Sequence, residues 1–157
     1  YNVHSTSELK LTTMTVMARR GMITQSIENL DKKINILSEQ IELVRQLQRS
    51  KPYHDKYKSL SAWKQKEYAK KNAPVLEKYK SVGSQLKLLY PDGRFPSKMV
   101  LDRQRQALYE EREKLYEEYR YLKKEYADLN KASQTIDDYL ESLRDEPEHK
   151  RKKGELE

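Results

Sequence analysis

From position 101 onward every seventh residue is apolar: Leu101, Leu108, Leu115, Leu122, Leu129, Ile136 and Leu143. No proline or glycine interrupts residues 98–143. An unbroken heptad repeat of that extent predicts one long helix with a packed seam. At 1.5 Å of rise per residue the helix would be about 70 Å long. Such a helix cannot bury its stripe against a compact globule, so the chain must supply a partner of similar length.

The partner lies in the first third. Ile23, Ile27, Leu30, Ile34, Leu37, Ile41 and Val44 follow one another in alternating steps of four and three, the spacing of a coiled-coil seam. The same register carried backward reaches Val16 and Leu9, but it puts Arg20 and Thr13 on the seam. Gly21 falls in this stretch as well, and an interior glycine costs a helix about 1 kcal/mol. Residues 23–47 are therefore helical, and residues 7–20 either continue that helix or form a second one joined by a bend near Gly21. Ser5, Thr6, Ser7 and Glu8 read as the start, with hydroxyls to cap free amides and an acid in the first turn. Pro52 is expected to end the helix, because the residue before a proline is driven out of the helical region.

Between the two long elements the pattern shortens. Ser59 or Ser61 can cap a helix over 62–71, and Asn72-Ala73-Pro74 marks a boundary before a second over 75–89, whose stripe is Val75, Tyr79, Val82, Leu86 and Leu89. Tyr90-Pro91-Asp92-Gly93 reads as a turn, and Ser97 as the cap of the long helix. In that helix Arg105 and Arg112 hold the position four after a Leu, where Tyr119, Tyr126 and Leu140 later complete a two-row seam. The stripe drifts as though the first half also received the short helices from another side. The predicted fold is all-α: a long antiparallel coiled-coil hairpin of two long helices, with short helices capping one end. Its parts are a first arm at 1–48, a basic cap at 49–96, a second arm at 97–143 and a disordered basic tail at 144–157.

Composition agrees. Of 157 residues 36% are charged and 36% hydrophobic, with four Gly and five Pro, which suits an elongated helical protein better than a compact enzyme core. There is no Cys, so disulfides and thiolate metal sites are unavailable, and an intracellular, cytoplasmic setting is the simplest reading. No apolar run approaches the ~20 residues of a membrane span. The chain opens at Tyr1-Asn2-Val3 without an initiator Met and reads as a fragment of a larger protein.

Catalytic constellations are thin. His4, His54 and His149 form no metal-ligand pair, and neither a phosphate-binding glycine loop nor a nucleophile elbow is present. No cofactor motif occurs. Glu110, Glu111, Glu117 and Glu118 read as a solvated helix face with pairs such as Glu110–Lys114. The twelve tyrosines mostly occupy or flank seams, where packing explains them.

Charge is where the chain stands out. Residues 49–98 carry thirteen Lys/Arg against four Asp/Glu, a net of +9, within a chain of net +7. Arg49, Lys51, Lys56, Lys58, Lys64, Lys66, Lys70, Lys71, Lys78, Lys80 and Lys87 alternate with Tyr53, Tyr57, Trp63, Tyr68 and Tyr79. Lysines neutralise phosphates with release of counterions, and exposed aromatics stack on unpaired bases. These residues, Trp63 among them, are the candidate nucleic-acid contacts. The competing reading makes the aromatics the core of a small cap and the lysines its solubilising surface. Lysine in preference to arginine suits contact by charge more than reading of bases.

One further signal is the order of landmarks. Tyr1-Asn2-Val3-His4-Ser5 precedes the first helix, and Lys51-Pro52-Tyr53-His54-Asp55-Lys56-Tyr57 follows the second. Val75-Leu76-Glu77-Lys78-Tyr79 comes next. Leu115-Tyr116-Glu117-Glu118-Tyr119 then runs into Leu122-Lys123-Lys124-Glu125-Tyr126. This order resembles the helical region that follows the nuclease domain in relaxases of the mobilisation-nuclease family, carried on conjugative and mobilisable elements. The resemblance covers most of residues 1–143. It implies a parent enzyme that nicks one strand at a transfer origin, joins the 5′ end through a tyrosine and uses a divalent metal held by histidines. None of those catalytic residues maps onto this chain, which lacks the histidine motif. The piece in hand would be a non-catalytic accessory region, with origin-of-transfer DNA and relaxosome or coupling proteins as partners. Otherwise it is a structural coiled-coil module for protein docking or dimerisation, since the two seams can pair within one chain or between chains.

Overall fold

The computed structural model describes the backbone of residues 6–156 and the side chains of residues 6–144. The elements are α1 (Thr6–Ser59), α2 (Ala62–Lys71), α3 (Ala73–Leu89) and α4 (Lys98–Leu156). There is no strand among the described residues, so the fold is all-helical as expected.

Besides the start of α3 at Ala73, two residues before the expected one, two boundaries differ from the expectation. α1 runs unbroken through Gly21 and on through Pro52 to Ser59. A proline inside a helix forfeits one backbone hydrogen bond and crowds the preceding turn, at a cost of about 3 kcal/mol. Contacts beyond Pro52 offset that cost: the His54 ring stacks on Tyr79 of α3 with centroids 4.1 Å apart, and the Tyr57 carbonyl accepts a hydrogen bond from Gln65 Nε2 at 3.0 Å. One turn earlier, the buried Ser50 hydroxyl donates back to the Gln46 carbonyl at 2.7 Å. The second difference is at the other end. α4 continues past Leu143 to Leu156, so the segment expected as a disordered tail is helical backbone that far. Its many Glu, Lys and Arg are good helix formers. Of the expected start Ser5 to Glu8, Thr6, Ser7 and Glu8 lie in the first turn of α1 with Glu8 as its acid, and Ser5 falls outside the described residues.

The chain divides into two compact units that cut across the long helices. One joins Tyr1–Glu28 with Glu113–Glu157. Here α1 packs on α4 alone, through a core of Leu9, Val16, Ile23, Ile27, Leu122 and Leu129, flanked by Leu115, Tyr116, Tyr119, Tyr126 and Ile136. Each buried aliphatic side chain contributes about 1.5–3 kcal/mol. Arg20, the charge on the seam, is accommodated by aromatics. Its guanidinium lies 5.3 Å from the Tyr119 ring centre and 5.5 Å from that of Tyr126, and Nη2 donates to the Tyr119 hydroxyl at 3.3 Å. Thr13, the other polar seam residue, donates its hydroxyl to the Leu9 carbonyl. Arg19 pairs with Glu118 at 2.7 Å.

The second unit is Asn29–Arg112. Ile41 and Val44 of α1, Val82 and Leu86 of α3 and Leu101 of α4 form its core, with Leu37, Leu43, Leu47 and Phe95 around them. The drift of the α4 stripe thus has a cause: three helices meet at Leu101. Arg105 and Arg112 take the four-after positions because they reach α1. Arg112 Nη1 donates to Asp31 Oδ1 at 2.7 Å and Arg105 Nη1 to Ser38 Oγ at 3.2 Å. The connection from α3 to α4 turns at Gly93, whose φ is +74°, and Tyr90 pins it to α1 by donating its hydroxyl to Gln40 Oε1 at 2.8 Å. Ser97 Oγ accepts from the Val100 amide, capping α4.

Candidate functional site

The candidate basic residues all belong to the second unit and all are exposed. Arg49, Lys51, Lys56 and Lys58 occupy the last turns of α1, where the helix persists past Pro52. Lys64, Lys66, Lys70 and Lys71 lie on α2, and Lys78, Lys80 and Lys87 on α3. At 3.6 residues per turn the α2 lysines form two rows, Lys66 with Lys70 and Lys64 with Lys71. The five described ion pairs engage Arg19, Arg45, Arg105, Arg112 and Arg120, and none takes a residue of this set. The expected Glu110–Lys114 pair is not among them either. Glu118 reaches across to Arg19, and Glu113 pairs along α4 with Arg120.

The fold brings some of these residues together. Arg49 and Lys78 line one open cleft of ≈ 320 Å³ between α1 and α3, with Tyr53 and Ser50. Lys80 edges a smaller one of ≈ 180 Å³ with His54, Tyr57, Ala69, Leu76 and Glu77.

The aromatics divide between the two readings. Tyr57, Tyr68 and Tyr79 are half-buried. They pack the cap, Tyr79 under His54 and Tyr68 beneath the Lys56 ammonium at 5.7 Å. Trp63 is 69% exposed and Tyr53 is also open to solvent, so two aromatic faces remain for an outside partner. α2 buries no side chain fully. It is held by the Gln65 bond to Tyr57 and by its junction with α3 at Asn72, whose amide bonds the Tyr68 carbonyl. Ser61 stands at the N-cap of α2 without a side-chain bond, and the Ser59 hydroxyl turns back to the Lys56 carbonyl.

Elsewhere, no group of three or more His, Cys, Asp or Glu that could hold a metal ion occurs among the described residues. His54 is engaged with Tyr79, and the side chains of His4 and His149 lie outside the described ones. Two tyrosines on α4 have displaced acidities. The Arg20 hydrogen bond and positive charge hold the Tyr119 phenol below the usual value of 10.0. Tyr121, donating to the Glu125 carboxylate, is raised above it. Tyr121 also borders a groove of ≈ 560 Å³ with Leu9, Leu129 and Ile136.

Sequence reasoning passed over one surface feature, a run of exposed apolar side chains on the outer side of α1 from Leu11 to Met22. The legible signal was the scarcity of charge between 11 and 27. Among the described residues no helix is long and apolar enough to cross a membrane. No family model, curated protein or solved structure matches this chain.

Proposed function

We propose that this chain is a non-catalytic helical module that binds nucleic acid through the lysine surface of α2, α3 and the end of α1. The observation carrying the reading is that every basic residue of the set is exposed and outside the described ion pairs, with Trp63 open among them. Unpaired lysines release condensed counterions on meeting phosphates, and an open indole offers a stacking face. We further infer that α1 and α4 run antiparallel, with α2 and α3 at the Leu101 end. In the second unit Asp31 meets Arg112 and Ser38 meets Arg105, so residue numbers rise on one helix as they fall on the other. The landmark order supports placing the module in a cytoplasmic DNA relaxase of a conjugative or mobilisable element, beside origin-of-transfer DNA and relaxosome or coupling proteins.

The test is titration of single- and double-stranded oligonucleotides at several salt concentrations. Binding should weaken steeply with salt, each lost phosphate contact lowering the log–log slope by about 0.7–0.9. Lys64→Glu with Lys66→Glu should weaken it further, and Trp63→Ala should reduce single-strand binding selectively. No binding at low salt, or binding indifferent to the two glutamates, removes the nucleic-acid reading. A second reading, a coiled-coil module that docks protein only, is favoured by the exposed apolar residues of α1. It predicts no oligonucleotide binding at any salt. For the parent enzyme, the deciding observation is whether the residues encoded before Tyr1 carry a histidine motif and a candidate tyrosine.

A further inference from the structure

Between Leu11 and Ile27 the chain carries only two charged residues, Arg19 and Arg20, although 36% of the whole chain is charged. Both are turned to α4, Arg19 on Glu118 and Arg20 over Tyr119 and Tyr126. Leu9, Val16, Ile23 and Ile27 fill the packed side. The opposite side is apolar too: Leu11, Met14, Met17 and Met22 are 66%, 66%, 51% and 63% exposed. The small residues Ala18 and Gly21 are exposed between them. At 3.6 residues per turn Leu11, Met14, Ala18 and Met22 succeed one another along a single strip. A helix that is apolar on both sides is suited to an interior layer, not to a surface.

Gly21 adds a separate observation. A Cβ built there meets nothing within 4 Å, and its φ is not positive. Among the described residues neither a tight contact nor a turn calls for glycine here, the poorest helix former after proline. Close approach of a second helix would use it, because small residues let two helix backbones come together.

We propose that this strip is a homodimer interface, in which α1 packs against α1 of a second copy, antiparallel, about a two-fold axis near Ala18. The inference is independent of nucleic-acid binding. Three features select a second copy as the occupant. Reversal about Ala18 brings Met14 of one copy onto Met22 of the other and Ala18 onto itself, so small residues meet at the centre and flexible, bulky ones flank them. Any charge near the axis would confront its own copy, and the strip has none. The strip's three large side chains, Leu11, Met14 and Met22, expose on the order of 350 Å², a contiguous apolar patch of the size that is often functional. Doubled across two copies and joined by Ala18 and Gly21, the area available for burial comes to at most about 900 Å², just under the roughly 1,000 Å² of a stable specific interface. The dimer is therefore concentration-dependent.

Sedimentation equilibrium of the full chain over about 5 to 500 µM tests this by mass action. The mass should climb from 18.8 kDa toward twice that value. Met14→Glu with Met22→Glu should hold it at 18.8 kDa throughout with unchanged helical circular dichroism, both side chains being exposed. The chain has no cysteine, so Ala18→Cys should give a disulfide-linked dimer on mild oxidation while Ser26→Cys does not. This pair decides the matter if the glutamate variant loses helix. A wild-type monomer at every concentration overturns the proposal. So does a dimer that survives the two glutamates with helix intact, as one built by exchanging the Ile23 and Leu122 seams would, or equal cross-linking at 18 and 26.

Discussion

Leu86→Ala should release α3, and the basic surface with it, while sparing the unit built from the first part of α1 and the later part of α4. α3 is held by three buried side chains, Leu76, Val82 and Leu86, and α2 by none. At about 1.5–3 kcal/mol for each buried side chain, the anchoring of both short helices amounts to roughly 6 kcal/mol. Leu86 is among the most deeply buried residues, in contact with the cluster of Ile41, Val44 and Leu101. Leu→Ala at such a site costs about 2.7–5 kcal/mol, the lost transfer energy plus the cavity left behind. That is around half of the anchoring or more. Native-state hydrogen exchange reads the change locally, since segments open with their own free energies. Amides of residues 73–89 should lose protection by about 10²–10³-fold, at roughly 1.4 kcal/mol for each factor of ten. Those of residues 6–28 and 113–144 should change little. Leu88→Ala, at an 84% exposed position, should fall within about 0.5 kcal/mol of wild type. Equal loss of protection in both units, or less than a tenfold loss in 73–89, would refute the reasoning. If the lysine surface binds nucleic acid, Leu86→Ala should also weaken that binding without removing a charge.

Gly83 lies inside α3 with nothing within 4 Å of a built Cβ, so Gly83→Ala should raise stability by about 0.4–1 kcal/mol in thermal melts. Gly93, at φ +74°, is the opposite case. Gly93→Ala should cost about 1–2 kcal/mol, the strain of a left-handed side-chain-bearing residue, read from the shift in denaturation midpoint. In ultraviolet titration Tyr119 should ionise below the ordinary tyrosine value and Tyr121 above it, and Arg20→Gln should move Tyr119 back up. An unmoved titration curve in that variant would show that Arg20 does not act on the phenol. The signs for stability differ. The raised value of Tyr121 contributes stability in full below the ordinary tyrosine value and loses it as pH climbs through the folded value. The lowered value of Tyr119 contributes above the ordinary value and is lost as pH falls through its folded one.

Periodicity made the long elements legible because a seam is a local property of the sequence. All seven predicted α1 seam residues from Ile23 to Val44 are buried except Leu37, which is half-buried, and α4 begins at Lys98 with the Ser97 cap. The candidate lysines could be listed for a similar reason, since a lysine without a buried partner is seldom taken out of water. Which aromatics face outward was not legible. Tyr68 and Trp63 have similar neighbours in sequence, yet Tyr68 is turned in under Lys56 and Trp63 is left open.

The sequence alone determined an all-helical chain, the register of the α1 seam and of the α4 seam as far as Ile136, and a basic middle third, because hydrophobic spacing and charge act within a few turns of helix; the expected seam residues Leu140 and Leu143 are 41% and 43% exposed. Tertiary structure decided the rest. It carried α1 through Pro52, since docking of His54 and Tyr57 offsets a local penalty that no window of sequence can weigh against a contact on α3. It found partners for the off-pattern arginines: Arg20 on two tyrosine rings, and Arg105 and Arg112 on Ser38 and Asp31. It also left the apolar strip from Leu11 to Met22 uncovered by the described residues. Each of these depends on residues distant in sequence meeting in space, and heptad spacing carries no information about what lies across from it.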